Sequence, residues 1–356
     1  MSVGMRNNSK TEEGLVAILV ATIITVILSL VTLGFARIMR SEQRQAIDRS
    51  LSTQAFYAAE SAVNNVTKRI QNGTYTIDKT SCAPDATFDG QVDGTIGAEY
   101  TCLLIDQAPD TLEYTQGSIS TDSSKVIPVR AENNADIGRI RIAWEEDASR
   151  ATSLAAPTFI ACPASPVALP ALTAWTQRTG MIRLDVIPAD SLDRQVLIDK
   201  MVSLYLYPCS GGGSVSSIDY SNHVAQNQKG QIIPVSCSAA ATPRDCELTI
   251  VMNNASPLSA PNKRYYLRAK SIYKSSDMTI RLFDTALTPN QLSIKDAQVQ
   301  IDSTGKVADI VRRIQVRIPV SESFQIPEYS IQTTDSICKR LQIIPAPINS
   351  VEDGCP

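Results

Sequence analysis

The chain has 356 residues, with 33 Lys and Arg against 36 Asp and Glu, for a net charge of −3. A chain balanced slightly to the acid side is not built, as a whole, to hold polyanions. It carries one His and lacks both the G-x-x-x-x-G-K-[S/T] and the G-x-G-x-x-G patterns, which argues against a nucleotide-driven motor or a dinucleotide enzyme.

In chain order, residues 1–14 read as a short polar leader ending at Gly14. Leu15 to Ala36 then run for 22 residues without a charge. About 20 residues at ~1.5 Å rise cross a hydrocarbon core of ~30 Å, so a membrane-spanning helix is expected over 15–36. A secretory signal peptide fits less well, because its apolar region usually runs about 7–15 residues to a small-x-small cleavage site. Here the exit reads Leu33-Gly-Phe-Ala-Arg-Ile-Met-Arg40, and no proline falls between Met1 and Cys82, so nothing forces a break. An amphipathic half-helix is expected over 37–72. Ile47, Leu51, Ala55, Ala59, Ala62, Val66 and Ile70 recur at three- or four-residue spacing and share one face. Asn72-Gly73 supplies a stop. The two halves predict one helix of roughly 57 residues. Between 37 and 71, basic residues 37, 40, 44, 49, 68 and 69 oppose acids 42, 48 and 60, a net of +3. Arg37, Arg40 and Arg44 are placed to meet lipid head groups, or acids of neighbouring helices in an assembly.

The leader to Gly14, the apolar run after it and the block Gln54-Ala-Phe-Tyr-Ala-Ala-Glu-Ser-Ala-Val63 together resemble a type IV prepilin, most closely the PilX-type minor pilins. The resemblance covers residues 1 to about 71 and leaves the head open. It implies that a prepilin peptidase cuts after Gly14 and methylates the new amine of Leu15. It also implies partners: other pilin subunits in a helical filament, reached from the cytoplasmic membrane. One departure matters. Most major pilins have Phe at the first mature position and Glu at the fifth, where this chain has Leu15 and Leu19. In the family that Glu is thought to pair with the amine of a neighbouring subunit, because a lone carboxylate in hydrocarbon needs a partner. Certain minor pilins and pseudopilins also lack it and are proposed to sit at the tip. The expectation is a minor pilin or pseudopilin, near the tip, of a filament serving adhesion, motility, secretion or DNA uptake. The alternative is a single-span membrane-anchored binding or adhesion protein.

Both readings need the N-terminus inside and the head outside. The charges alone favour the reverse, with Arg6 and Lys10 before the span and Arg37, Arg40, Arg44 and Arg49 soon after it. The cysteines override that count. Cys82, Cys102, Cys162, Cys209, Cys237, Cys246, Cys338 and Cys355 all follow the helix. None forms a C-x-x-C pair and there is one His, so zinc fits poorly and disulfides in an oxidising compartment fit well. Eight cysteines can pair on the order of a hundred ways. Proximity in sequence favours Cys82–Cys102, Cys237–Cys246 and Cys338–Cys355, leaving Cys162–Cys209. The Cys338–Cys355 loop, worth ~3 kcal/mol in the chain-entropy model, resembles the C-terminal loop that many pilins close.

The head reads as β. Arg139-Ile-Arg-Ile142, Met181-Ile-Arg-Leu184, Thr279-Ile-Arg-Leu282 and residues 313–320 alternate apolar with polar, as half-buried strands do. Residues 202–207 and 265–273 are further strands. Ser191 to Lys200 is the one good helix candidate, with Ser191 as N-cap. The expected class is α+β: a long N-terminal helix, transmembrane then amphipathic, carrying a β-rich, mainly antiparallel, sandwich-like or meandering head. The prolines at 157, 163, 166 and 170 suggest a division near 150. That gives a first β-rich part over 75–150, a second over 151–320, and a C-terminal segment over 321–356 with its disulfide loop.

Catalytic patterns are sparse. His223 sits in a polar loop and no G-x-S-x-G elbow is present. Ser271-Ile-Tyr-Lys274 matches S-x-x-K, but in a strand-like run. Asp85, Asp89 and Asp93, near Gly90 and Gly94, resemble a loose calcium loop without the spacing of an EF-hand. A solvated acidic loop is the plainer reading, and neither metal nor cofactor is expected. Arg312, Arg313 and Arg317, with Lys306, form a candidate basic strip for DNA. The net negative charge argues against nucleic acid, and outward arginines on a strand are usually a solvated or salt-bridged face. A structural subunit, not an enzyme, is the expectation, and the head's ligand is not specified.

Overall fold

The computed structural model describes residues 10–84, 87–88, 90–93, 97–147, 159–162, 170–177, 179–189, 200–221, 231–238, 244–252 and 263–320. Among them one long helix, α1 (Lys10–Gln71), precedes sixteen strands. The first eight are β1 (Gln91–Asp93), β2 (Ala98–Asp106), β3 (Leu112–Ile119), β4 (Lys125–Ala131), β5 (Arg139–Glu146), β6 (Met181–Pro188), β7 (Val202–Cys209) and β8 (Ser217–Asp219). The others are β9 (Gln231–Ser236), β10 (Cys246–Val251), β11 (Arg264–Ile272), β12 (Ser276–Phe283), β13 (Gln291–Leu292), β14 (Ile294–Lys295), β15 (Gln298–Val307) and β16 (Ile310–Pro319). The helix expected over 191–200 lies outside the described residues apart from Lys200.

The chain forms two compact units. One is built from Met1–Pro109 with Gln298–Val320, the other on Asp110–Ala297. This differs from a division near residue 150. Alternation along a strand reports which face is buried, but not which strand it pairs with. Strand β5, before residue 150, lies between β10 and β12, which come after it.

In the first unit, α1 is 62 residues long, about 93 Å at ~1.5 Å per residue. It begins before the expected Leu15 and runs through Gly14 without interruption. Its end matches the expected stop. Gly73 takes φ +67°, its N–H donates to Ile70 O at 2.9 Å, and the Thr74 N–H donates to Arg69 O at 2.9 Å. This is a Schellman cap, whose left-handed position suits a glycine. The C-terminal part of α1 covers one face of an antiparallel sheet ordered β1-β2-β15-β16. Ala62, Val63, Val66 and Ile70 bury against Leu103, Ile105, Val299 and Ile301, with Ile314, Val316 and Ile318 at the margin.

The second unit is a sandwich. Its first sheet runs β13-β12-β5-β10-β8, with β3 also on β12, and its second runs β14-β4-β11-β6-β7-β9. Only β8 on β10 and β9 on β7 pair in parallel among the described strands. Ile140, Ile142, Leu248, Ile250 and Ile280 from the first sheet meet Ile127, Ile182, Leu184, Leu204 and Leu267 from the second in one core. Burial of each such side chain contributes about 1.5–3 kcal/mol. Trp144 is fully buried there, and its indole N–H donates to Gly180 O at 3.0 Å, which satisfies its polar atom inside the core.

Candidate functional site on the helix stem

Residues 16 to 50 of α1 are exposed throughout. This stem includes the apolar run, and α1 is the one described helix long and apolar enough to cross a membrane. Polar side chains interrupt the run at four positions, and each turns back on its own helix. Thr22 donates to Leu19 O at 2.8 Å, Thr25 to Ala21 O at 3.0 Å, Ser29 to Thr25 O at 2.7 Å and Thr32 to Ser29 O at 3.0 Å. An unsatisfied hydroxyl is expensive in hydrocarbon, and here none of the four is left unmade. Leu19 is 54% exposed and presents an alkyl surface.

Below the sheet, Arg37, Arg40 and Arg44 are exposed. Their three- and four-residue spacing keeps them on one helical face. The same steps lead on to Leu51, Ala55, Ala58 and Ala62, so the face that seats the sheet continues down the stem as a basic strip. The expected apolar stripe is shorter than its periodicity implied. Ile47 is 58% exposed, because the seat begins one turn later, where Leu51 meets the margin of the Ala55–Ala58–Ala98–Val307 cluster beside Ile310.

The seat depends on small residues. A Cβ built on Gly305 of β15 would lie 2.0 Å from Ala55 O and 2.6 Å from Ala59 N, so the helix backbone rests directly on the sheet. The block around Ala55 therefore has two faces. Ala55, Ala58, Ala59 and Ala62 are buried, while Phe56 and Tyr57 stay 44% and 61% exposed with their rings in edge contact at 6.1 Å.

Two of the pairs favoured by proximity, Cys82–Cys102 and Cys237–Cys246, are joined, and so is the pair left over, Cys162–Cys209. The first ties the segment after α1 to β2, beside the Lys79–Ile105 backbone bridge. The second ties residues 159–162 to the end of β7. The third links the end of β9 in one sheet to the start of β10 in the other. Cys338 and Cys355 lie outside the described residues.

The strip expected at Arg312, Arg313 and Arg317 is divided between the two faces of β16, with Arg313 and Arg317 on one and Arg312 on the other. Arg312 and Arg313 are consecutive on β16 and point to opposite faces. Arg312 Nε donates to Ser52 Oγ at 2.7 Å on the helix side. On the other face Arg313 clamps Asp302, with Nε 2.8 Å and 3.0 Å from its two carboxylate oxygens. The hydrogen bond and charge of Asp302 raise the Arg313 guanidinium above its ordinary value. Lys306 lies 3.9 Å from Glu99. The missed signal was the pairing register, which local alternation does not carry.

The remaining candidates have structural roles or lie outside the described residues. The Ser271 hydroxyl bonds the backbone carbonyl of Lys274, not its amine, and lies 3.0 Å from Ser276 Oγ, so it braces the β11–β12 turn. Asp85, Asp89 and His223 lie outside the described residues. No cluster of metal-ligating side chains occurs among the described residues. Gly14 and Leu15 both lie within α1. Compared with known proteins, the chain matches no family model, no curated protein and no solved structure.

Proposed function

We propose that this chain is a minor subunit, near the tip, of a type IV pilus-like or pseudopilus filament. In this reading a prepilin peptidase cuts after Gly14, and the stem is stored in the cytoplasmic membrane until it enters a helical bundle. The observation that carries the reading is one uninterrupted helix with two fates. Its apolar N-terminal half is exposed from residue 16 onward among the described residues, while its Ala-lined C-terminal half is seated on a disulfide-bonded β head. A bundle of like helices offers the stem the same apolar surroundings as lipid. Phe56 and Tyr57 supply an outward aromatic contact where the stem joins the head. The absence of a carboxylate at Leu19 supports a position where the usual pairing with a neighbour is not made. The chain's work is assembly and contact, not catalysis.

Terminal sequencing of the mature chain tests the proposal. The expected terminus is Leu15, and Gly14→Ala is expected to block both processing and entry into filaments. An intact Met1, or a cut beyond Ala36, overturns the reading in favour of a plain anchor or a signal peptide.

A further inference from the structure

Where α1 leaves its apolar run, the helix has two unlike sides. Arg37, Arg40 and Arg44 follow Ala36 by one, four and eight residues. At about 100° per residue they fall within an arc of roughly 60°. Phe35, Ile38 and Met39, all exposed, cover the other side, and so does Glu42, the one acid within the span of the strip. All three arginines are exposed, and no ion pair or side-chain hydrogen bond reaches any of them among the described residues. Arg37 and Arg40 stand three residues apart and Arg40 and Arg44 four, spacings at which like charges weaken a helix. Asp48 lies four residues beyond Arg44 but forms no ion pair with it among the described residues. The chain thus leaves this strip of positive charge unanswered.

Its place along the axis matches a bilayer surface. The headgroup layer is about 5–7 Å deep on each side of the hydrocarbon. Counted from Ala36, the three arginines lie about 1.5, 6 and 12 Å along the helix. Helical side chains lean toward the N-terminus, which here is toward the apolar run, so Arg40 and Arg44 reach back over that layer. The seat of the head begins at Leu51, about 22 Å beyond Ala36, which leaves the strip clear of the sheet. The disulfides argue that this end lies on the oxidising side, where basic residues flanking a span are normally sparse. Arginines kept there in spite of that bias point to an anion that holds them.

We propose that Arg37, Arg40 and Arg44 dock the stem on anionic phospholipid headgroups at the surface where the helix leaves the bilayer. Lipid phosphates bridge the like-charged pairs through charge-assisted bonds that a guanidinium is well shaped to give. Phe35, Ile38 and Met39 settle into the lipid on the other side of the helix. Because the strip continues the face that seats the sheet, this contact fixes the side toward which the head turns above the membrane. The inference rests on the membrane span and not on the filament reading.

Reconstitution of the full-length, disulfide-bonded chain in phosphatidylcholine vesicles tests it, with a trace of spin-labelled phosphatidylglycerol or spin-labelled phosphatidylcholine. The fraction of each label that the protein immobilises gives its preference for the anionic lipid. A preference of about fivefold or more is expected, weakened at about 1 M salt. Arg37→Gln, Arg40→Gln and Arg44→Gln should each lower it, and the three together by about fivefold. Arg6 and Lys10, at the other end of the span, are unchanged in these variants, so the drop is the readout. Arg49→Gln, on the opposite side of the helix, should leave the preference as it was. Helical circular dichroism and resistance to alkaline extraction qualify each variant as folded and inserted. If the triple variant fails that check, the single changes carry the test. Equal association of the two lipids overturns the proposal, as does a preference that folded variants retain. Pairing of two copies, read by energy transfer between labelled chains and abolished by the same changes without any lipid preference, also overturns it and assigns the strip to acids of a neighbouring helix. Release of the wild-type chain by alkaline wash removes the span and the proposal with it, whereas an intact Met1 overturns the filament reading alone.

Discussion

At the scale of single residues, the sharpest constraint is Gly305. The atoms its missing Cβ would meet are the backbone of Ala55 and Ala59, which cannot swing aside as a side chain would. Gly305→Ala is therefore expected to lift α1 from its seat and to destabilise the helix-bearing unit by about 3 kcal/mol, at the upper end of ordinary overpacking. Denaturant unfolding followed by helical circular dichroism checks this, and a loss under ~0.5 kcal/mol would show that the seat is looser than described. A second residue carries a pH dependence. Asp284 accepts from Asn290 Nδ2 at 2.8 Å, from Asn290 N at 3.0 Å and from Ala286 N at 3.1 Å. The Asn290 bonds, chiefly, hold its carboxyl below the ordinary value of 3.8. A depressed carboxyl stabilises the fold above its unfolded value, and that contribution is lost as pH falls through the folded value. An NMR titration should place the Asp284 midpoint below 3.8, with the Asn290 amide signal moving in step. Asp284→Ala should abolish that movement, and a midpoint at or above the ordinary value would contradict the bonds.

At the scale of elements, the disulfides rank themselves by the span they close. Cys162–Cys209 encloses 47 residues of separation, Cys82–Cys102 20 and Cys237–Cys246 9. The chain-entropy model assigns them about 4, 3.3 and 2.6 kcal/mol in that order. Paired Cys→Ala variants should lose stability in the same sequence, as read by urea midpoints, and a reversed order would point to native contacts outweighing loop entropy. The elements also show what local pattern encodes. The strands at Arg139–Ile142, Met181–Leu184, Thr279–Leu282 and 313–320 were legible because each alternates over one buried face. The end of α1 was legible because Asn72-Gly73 stops a helix by backbone geometry alone. Other strands, β9 and β15 among them, carry a weaker signal. In β9 a proline falls within the pattern. In β15 both faces carry buried residues, Asp302 and Ser303 among them, which blurs the alternation. The seat was half legible: the Ala spacing marks a close approach, but nothing local says that Gly305, some 250 residues away in the chain, is what it approaches.

At the scale of the whole molecule, the division into units was illegible from the sequence for the same reason. Strand β2 pairs with β15 across most of the chain, and only that pairing reveals that Asp110–Ala297 is an insertion. The insertion holds both sheets of the sandwich and two complete disulfides, so residues 110–297 expressed alone are expected to fold, with a cooperative thermal transition and an ordered near-UV aromatic signal. A fragment cut near residue 150 and running to 320 lacks β3, β4 and β5, and with them Leu112, Ile127, Ile140 and Trp144 from the core. It is expected to show neither signal, and a cooperative transition in that fragment would refute the division. The insertion also decides how force travels. The chain leaves for the sandwich after β2 and returns into β15, and these are adjacent strands with Asp106 beside Gln300 at the point of departure. Tension applied to the sandwich while the stem is anchored is shared by two neighbouring strands drawn from the same end. Their mutual ladder is not sheared, and the load falls on the ten-residue pairing of β15 with β16 and on the helix seat.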